Sequence, residues 1–351
     1  SLGWWAVRSL WALAEGYRVF GGVDPAYAAE LQASYRLTES ALAAGHSEHY
    51  GEYNLVHGLR IPAWIPNGSA DEASVALLAL TAYYRADPNP ATQALIEYIA
   101  DGIAQYRLGD SLTYPFGMHP VVTNAPGYWH DWGSHQVHAL AEAGAALGRQ
   151  DWIDSAAQAA DTFLVRQLAF EHIKEIGILP RRLGQIAYGT DMMVQGYMAL
   201  YHATGDERYA QFAGLAASWF FGNNMAGVPM YDPATGRCFD GLNGTVEWRV
   251  NRNAGAESTI EALLALLAVH RRPLALRYLD SVSYTHLRAH ENVLDIVCRL
   301  LLEKKKTRNT TVKDTEKTVI YPQVHTLLLY TSTTTRNTYT ITSPHNALKH
   351  H

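Results

Sequence analysis

Residues 71–106 decide the fold class, and they read DEASVALLALTAYYRADPNPATQALIEYIADGIAQY. Apolar side chains recur three and four positions apart through 71–84, which predicts a helix with one buried face. The turn at 87–90 carries two prolines, and Pro90 can open a second helix because a first-turn residue needs no N–H donor. Since so short a turn makes the two helices antiparallel neighbours, the stretch predicts a helical hairpin.

The same hairpin pattern recurs along the chain. First helices are predicted to begin near 71, 131, 191 and 257, a period of about sixty residues, and an earlier pair covers about 4–20 and 25–44. An array of this kind buries its core between neighbouring hairpins. We therefore predict an all-α fold for residues 1–280, namely an incomplete (α/α)6 toroid built from helical hairpins. We expect it to be truncated at both ends and to expose apolar faces there.

The composition limits the class of protein. The chain has 351 residues, of which 48% are hydrophobic and 17% charged, a balance typical of a globular protein with a sizeable core. The net charge is −5, but residues 1–280 carry 18 Lys and Arg against 28 Asp and Glu, which gives −10. An acidic body argues against a nucleic-acid partner. No apolar run approaches the ~20 residues of a membrane span, so no membrane partner is expected.

Cysteine usage and the amino end say little about the compartment. Only Cys238 and Cys298 are present, which argues against a disulfide framework or a cysteine zinc site. The chain opens with Ser1 and reads at once as the inside of an element, without a leader of the signal-peptide type. Secreted, periplasmic and cytoplasmic locations all stay open, as does the oligomeric state.

Residues 281–351 follow different rules from the rest of the chain. They carry 10 Lys and Arg against 5 Asp and Glu, become rich in Thr, and lack a helical apolar stripe. The segment 283–291, followed by 297–306, resembles the translated read-through of a sequencing adapter. We expect 281–351 to be a non-native or disordered tail; the alternative is a genuine Thr-rich tail or linker.

Long loops between successive hairpins are the expected place for a binding site. They cover 45–70, 109–129, 171–189 and 223–256 and are rich in Trp, Tyr, Asn and His. Structured loops at one end of a rigid scaffold commonly carry function. Within the last loop, residues 231–237 read as the tip of a β-hairpin.

Four carboxylates are predicted to open first helices, and they would gather at one end of the array: Asp71, Asp131, Asp191 and Glu257. One interpretation is structural, because Asp and Glu cap free N–H groups and favour the helix dipole. For Asp71 we favour that interpretation, since Ser69 and Glu72 match a capping box around it. For Asp191 and Glu257 the structural and the catalytic interpretations stand level.

The densest group of chemically capable residues is YWHDWGSH at 128–135. Trp129 and Trp132 could stack on sugar faces, since the C–H-rich face of a pyranose suits an aromatic ring. Asp131 and His135 lie four residues apart and would share a helix face, so they could form a hydrogen-bonded pair. A sugar platform or simple loop packing ranks first for this segment, and general acid/base work ranks second. A metal site is a distant third interpretation, because His135 and His138 are too few ligands. We expect neither a metal nor a cofactor.

Residues 219–233, WFFGNNMAGVPMYDP, are followed by VNRNAGAEST at 250–259. These segments resemble the six-hairpin glycosidase superfamily, in particular bacterial proteins similar to glycoside hydrolase family nine. The resemblance covers roughly residues 1–280 and implies an (α/α) toroid that cleaves carbohydrate with a pair of carboxylates. It implies Glu257 as general acid. The family's other catalytic carboxylates lie in an Asp-rich segment upstream of an early helix, and this sequence departs from the family in having no such segment. Our own hypothesis places the opposing carboxylate at Asp131 or Asp191.

The resulting expectation is a glycoside hydrolase-like protein that acts on a poly- or oligosaccharide. The residues expected to bind the sugar are Trp129, His130, Trp132, His135, Tyr188, Tyr231, Arg252 and Asn253. Two alternatives stay open. One is a polysaccharide lyase or sugar epimerase on the same scaffold, whose proton abstraction favours His, Tyr and Arg. The other is a non-catalytic carbohydrate-binding toroid, because a fold alone does not select a function.

Overall fold

A computed structural model describes residues 3–44, 49–170, 184–243 and 249–281. Contacts divide the chain into a compact unit, Ser1–Leu301, and a second unit, Leu302–His351, which lies wholly outside the described residues. The expectations for the tail beyond residue 281 therefore fall outside the described residues too.

Helical hairpins make up the described part of the compact unit, which confirms the predicted all-α class. Each hairpin has an inner helix and an outer helix. The inner helices are α1 (Trp4–Phe20), α3 (Ala70–Ala86), α5 (Gln136–Leu147), α8 (Ala187–Thr204) and α10 (Ala256–His270). The outer helices are α2 (Pro25–Ala43), α4 (Pro90–Gln105), α6 (Gln150–Ala159), α9 (Glu207–Ala217) and α11 (Pro273–Ser281). A π-helical turn, Ala160–Leu164, extends α6 into α7 (Val165–Phe170).

The inner helices pack side by side in chain order, α1 on α3, α3 on α5, α5 on α8 and α8 on α10. Each outer helix packs on the inner helix of its own hairpin. This is the arrangement of an incomplete toroid, with the core between the two layers. Helix α10 exposes Ile260, Leu263, Leu264 and Leu267, which form one apolar face at helical spacing.

Local sequence explains where these helices begin and end. The side chains of Asp24 and Asn89 accept hydrogen bonds from backbone N–H groups at the starts of α2 and α4, where Pro25 and Pro90 follow them. Gly148 ends α5 with a φ of 67°, a left-handed conformation that glycine adopts without strain. In the described ranges no helix combines the length and the apolar character needed to cross a bilayer.

Short antiparallel strands shape the loops. Strand β1 (Tyr53–Val56) pairs with β2 (Leu59–Pro62), and β4 (Tyr231–Asp232) pairs with β5 (Arg237–Cys238). The second pairing confirms the hairpin tip predicted at 231–237. Strand β6 (Gly241–Asn243) lies between β3 (Gln185–Ile186) and β7 (Arg249–Asn251). The long loop after α9 therefore returns to the start of α8.

Two predicted helix starts were wrong. Helix α5 begins at Gln136, five residues after Asp131, because Gly133 at φ 76° keeps the preceding segment in a loop. Helix α8 begins at Ala187, so Asp191 lies in its second turn and not at its start. Capping of free N–H groups therefore explains neither Asp131 nor Asp191.

Candidate active site

The amino-terminal ends of the inner helices meet at one end of the array. The Glu72 carboxylate of α3 accepts a hydrogen bond from the backbone of Trp4, which opens α1. Gly133, just before α5, is in close contact with both the Trp4 ring and the Tyr188 hydroxyl of α8. Arg8 of α1 is close enough to Glu261 of α10 to influence its titration. These contacts place residues from all the inner helices around one site.

The centre of the site is a pair of carboxyl groups, Asp191 on α8 and Glu261 on α10, joined by a hydrogen bond. Asp191 is 2% exposed, and the Gln195 side-chain amide donates to its Oδ1 at 2.9 Å. Burial, with the nearby charge of Glu261 as a second cause, raises the pKa of Asp191 well above its ordinary value. Burial also raises the pKa of Glu261, to about 7. The pair therefore shares a proton near neutral pH, with Asp191 donating to Glu261.

Arg8 and Tyr188 border this carboxyl pair. The guanidinium carbon of Arg8 lies 4.8 Å from the centre of the Tyr188 ring and 5.6 Å from the Trp4 ring. Its positive charge opposes the effect of burial on the pKa of Glu261. Burial raises the pKa of the Tyr188 phenol to about 12, although Arg8 acts against this shift as well. Tyr188 is therefore neutral and available as a hydrogen-bonding group.

Asp131 packs against Gly189, the residue that follows Tyr188 in α8. Its side chain is buried, and burial raises the pKa of the carboxyl well above its ordinary value. A Cβ on Gly189 would stand only 1.7 Å from Asp131 Oδ2, so the approach requires a glycine. Asp131 Oδ2 has no hydrogen-bond partner among the described residues.

His135 was predicted to pair with Asp131, and that prediction was wrong. His135 precedes the first residue of α5, and neither of its ring nitrogens has a hydrogen-bond partner within the described ranges. The loop geometry before α5 removes the shared helix face on which the pairing depended. The His135 ring lies instead 5.8 Å from the ring of Tyr188.

Asp71 takes part in a separate polar group at the same end. The Ser69 hydroxyl donates to Asp71 Oδ1 at 2.6 Å and makes no capping bond to α3, so the predicted capping box does not form. Nε2 of His130 lies 3.6 Å from Asp71 Oδ2, and the His130 ring lies 5.2 Å from the Trp132 ring. Trp132 is 37% exposed, so part of its ring can meet a ligand.

Trp129 differs from Trp132 in its surroundings. It is 2% exposed, and its ring packs edge to face on Phe163 with 4.9 Å between ring centres. The side chain therefore belongs to the core and offers no open face to a sugar.

Glu257 is exposed in the first turn of α10, one helical turn before Glu261. Its negative charge contributes to the raised pKa of Glu261, which places Glu257 at the rim of the carboxyl pair.

The remaining predicted residues hold the loop after α9 together. Tyr231 packs on Phe221 and lines a pocket of about 310 Å³ around the β4–β5 hairpin. The guanidinium carbon of Arg252 lies 5.3 Å from the ring centre of Phe239. The carbonyl of Asn253 accepts a hydrogen bond from the backbone N–H of Asp240 at 2.8 Å. These contacts connect the residues to their own loop.

Sequence reasoning missed Glu261 and Arg8. Both are charged residues within apolar stretches of inner helices, and Glu261 follows Glu257 by four positions, a spacing that places them on one helix face. That spacing was the available signal. Among the described residues no group of three or more His, Cys, Asp or Glu side chains could hold a metal ion.

No family model matches the chain, and no curated protein matches it either. One solved structure similar to it is described as a GH127 beta-arabinofuranosidase, at 10% sequence identity and a TM-score of 0.35. The match covers 75% of this chain and 52% of that structure, so this chain spans about half its length.

Proposed function

We propose that this chain is a glycoside hydrolase-like protein that acts on a poly- or oligosaccharide by carboxylate acid/base catalysis. The observation that carries the proposal is the hydrogen-bonded pair of the buried Asp191 and the half-buried Glu261 where the inner helices converge. A glycosidic bond resists cleavage unless its leaving oxygen is protonated, and that step needs an acid that still holds a proton near neutral pH.

Glu261 suits the role of general acid. Because burial raises its pKa to about 7, a large share of the molecules carry the proton at neutral pH and can release it readily. Asp191 supports this role by fixing the orientation of the Glu261 carboxyl and by sharing its proton.

A second carboxylate has to act from another position. In glycosidases the two catalytic carboxyls are roughly 5 to 9.5 Å apart, whereas Asp191 and Glu261 touch through a hydrogen bond. The pair therefore works as one unit. Glu257 lies one turn earlier on α10, about 6 Å along the axis, and is exposed to water. We assign Glu257 the activation of water, a different role from the general acid that the resemblance implies.

The lyase or epimerase alternative would use Tyr188 or a histidine as base. The pKa of Tyr188 is raised to about 12 by burial, so its phenolate is scarce near neutral pH. That observation favours hydrolysis over proton abstraction by Tyr188. A non-catalytic carbohydrate-binding protein is the third outcome.

The test uses the full chain with a panel of oligosaccharides and chromatographic detection of products. Glu261→Gln and Glu257→Gln should each lower the rate of hydrolysis by about 10² or more, since each removes an acid or a base. Glu30→Gln, an exposed change on the outer helix α2, is the matched control and should leave the rate unchanged.

Hydrolysis that survives Glu261→Gln at the wild-type rate would refute the assignment. Products that absorb in the ultraviolet would indicate a lyase, and binding of sugar without turnover by the wild type would indicate a binding protein.

A further inference from the structure

The pocket beside the β4–β5 hairpin can be reached from solution. Its volume is about 310 Å³, at the small end of the range in which proteins bind small molecules. Two of its lining side chains, Tyr231 and Phe239, are half-buried, so part of each ring is accessible. Two others, Asp232 and Arg237, are exposed. A ligand can therefore contact these side chains, whereas it cannot contact the buried Trp129.

The two aromatic rings of this pocket are held in place by neighbours from the same loop. Tyr231 packs edge to face on Phe221 with 6.1 Å between ring centres. The guanidinium carbon of Arg252 lies 5.3 Å from the ring centre of Phe239. Rings fixed in this way lose little freedom when a ligand binds, and an aromatic ring suits the apolar face of a sugar.

The polar side chains of the pocket complement each other. Asp232 and Arg237 are partners in the β4–β5 register. The Thr235 hydroxyl and the backbone N–H of Ala234 donate to the Asp232 carboxylate at 2.7 and 3.0 Å and hold its pKa below the ordinary value. Asp232 is therefore an acceptor of hydrogen bonds near neutral pH, while Arg237 is a donor. Together they match the hydroxyl groups of a sugar, which both donate and accept.

Strand β5 connects this pocket to the first turn of α10. The Ser258 hydroxyl donates to the carbonyl of Cys238 at 3.2 Å. Cys238 lies between the pocket residues Arg237 and Phe239, and Ser258 follows Glu257, to which we assign the activation of water. A ring bound in the pocket would therefore lie beside the end of α10 that carries Glu257.

We propose that this pocket is a subsite for one ring of an uncharged carbohydrate chain, in which Tyr231 and Phe239 contact the face of the ring and Asp232 and Arg237 bind its hydroxyl groups. Because the two charged side chains have opposite signs, neither favours a charged sugar. The inference rests on the proposed carbohydrate substrate, but it concerns binding and not turnover.

The experiment measures by calorimetry how tightly the full chain binds neutral oligosaccharides of glucose, mannose and xylose. Glu261→Gln serves as the background so that turnover does not deplete the ligand. Tyr231→Ala removes a ring contact and Arg237→Gln removes a charged donor, so each should weaken binding about tenfold. Tyr231→Phe keeps the ring and should keep most of the affinity. Tyr27→Ala is the matched control, since Tyr27 is an exposed tyrosine of α2 that also packs edge to face on a phenylalanine, Phe20.

Thermal unfolding checks that each variant folds, and the exposed Arg237→Gln keeps the test decisive if Tyr231→Ala does not. Wild-type affinity in either folded variant, or no neutral sugar bound by the Glu261→Gln background, would overturn the subsite. If the wild type hydrolyses a sugar, Tyr231→Ala should raise KM about tenfold and leave kcat nearly unchanged; the reverse would also overturn it. Sugar binding that depends on Tyr231 and Arg237, in a wild type without hydrolase activity, would support the subsite and refute only the proposed function.

Discussion

Replacing Glu261 by Gln tests the shared proton through the pH dependence of folding stability. The folded state raises the pKa of this carboxyl from 4.5 to about 7, so between these values the folded protein binds a proton that the unfolded chain has lost. Stability from this group is fully present below about pH 4.5 and is lost as the pH rises through 7. The wild type should therefore lose stability across that window.

The size of the loss follows from the shift. Each tenfold change in proton affinity is worth 1.36 kcal/mol, so a rise from 4.5 to about 7 corresponds to about 3 kcal/mol. Part of the Glu261 side chain is exposed and screened by solvent, which reduces the expected loss to about 2–3 kcal/mol. The Gln variant cannot titrate at this position. Asp191 is present in both proteins, and its pKa is raised less in the variant, which lacks the Glu261 charge; this change adds to the difference in the same direction.

The assay is urea unfolding of the wild type and of Glu261→Gln at half-unit steps from pH 4 to pH 8. The free energy of unfolding of the wild type, minus that of the variant, should fall by about 2–3 kcal/mol between pH 4.5 and pH 7.5. Glu30→Gln controls for the loss of one exposed carboxyl. A difference that stays flat across this range, or that rises with pH, would refute a proton held by the pair.

Two further changes test the packing that supports the site. Gly189→Ala should lower the free energy of unfolding, measured in urea, by about 1–3 kcal/mol, because the new Cβ would stand 1.7 Å from Asp131 Oδ2. Gly196→Ala on the same helix is the control: its Cβ would meet only ordinary contacts, so the change should be neutral or stabilising. Glu39→Gln should lower the free energy of unfolding by about 1–3 kcal/mol, since it removes the buried carboxylate that Arg36 contacts at 2.6 Å. An unchanged free energy of unfolding would contradict a stabilising role for this ion pair.

The helical hairpins could be predicted from sequence because their signals are local. The period of apolar residues, the prolines after Asp24 and Asn89 and the turn at Gly148 each depend on a few consecutive residues. The start of α5 could not be predicted in the same way. Apolar and polar residues from 130 onward fit a helix, and only the left-handed backbone at Gly133, held between Trp4 and Tyr188, prevents one.

The site was harder to predict because its pairings join distant parts of the chain. Asp191 and Glu261 are seventy positions apart, and Arg8 comes from the first helix, so no motif contains them. Trp129 and Trp132 are alike in sequence context, yet one packs on Phe163 and the other reaches the surface. Composition could indicate that this end of the array is polar and aromatic, whereas burial decides which residues serve a ligand.

Position along α10 gives its two carboxyls different properties. Glu257 lies in the first turn of the helix and is exposed to water. Glu261 lies one turn deeper, where burial favours the protonated form and raises the pKa of the carboxyl to about 7. A single helix therefore supplies an exposed carboxyl and a half-buried carboxyl of raised pKa, about 6 Å apart along its axis. The proposed glycoside cleavage would use one carboxyl in each of these states, and the four-residue spacing would supply both.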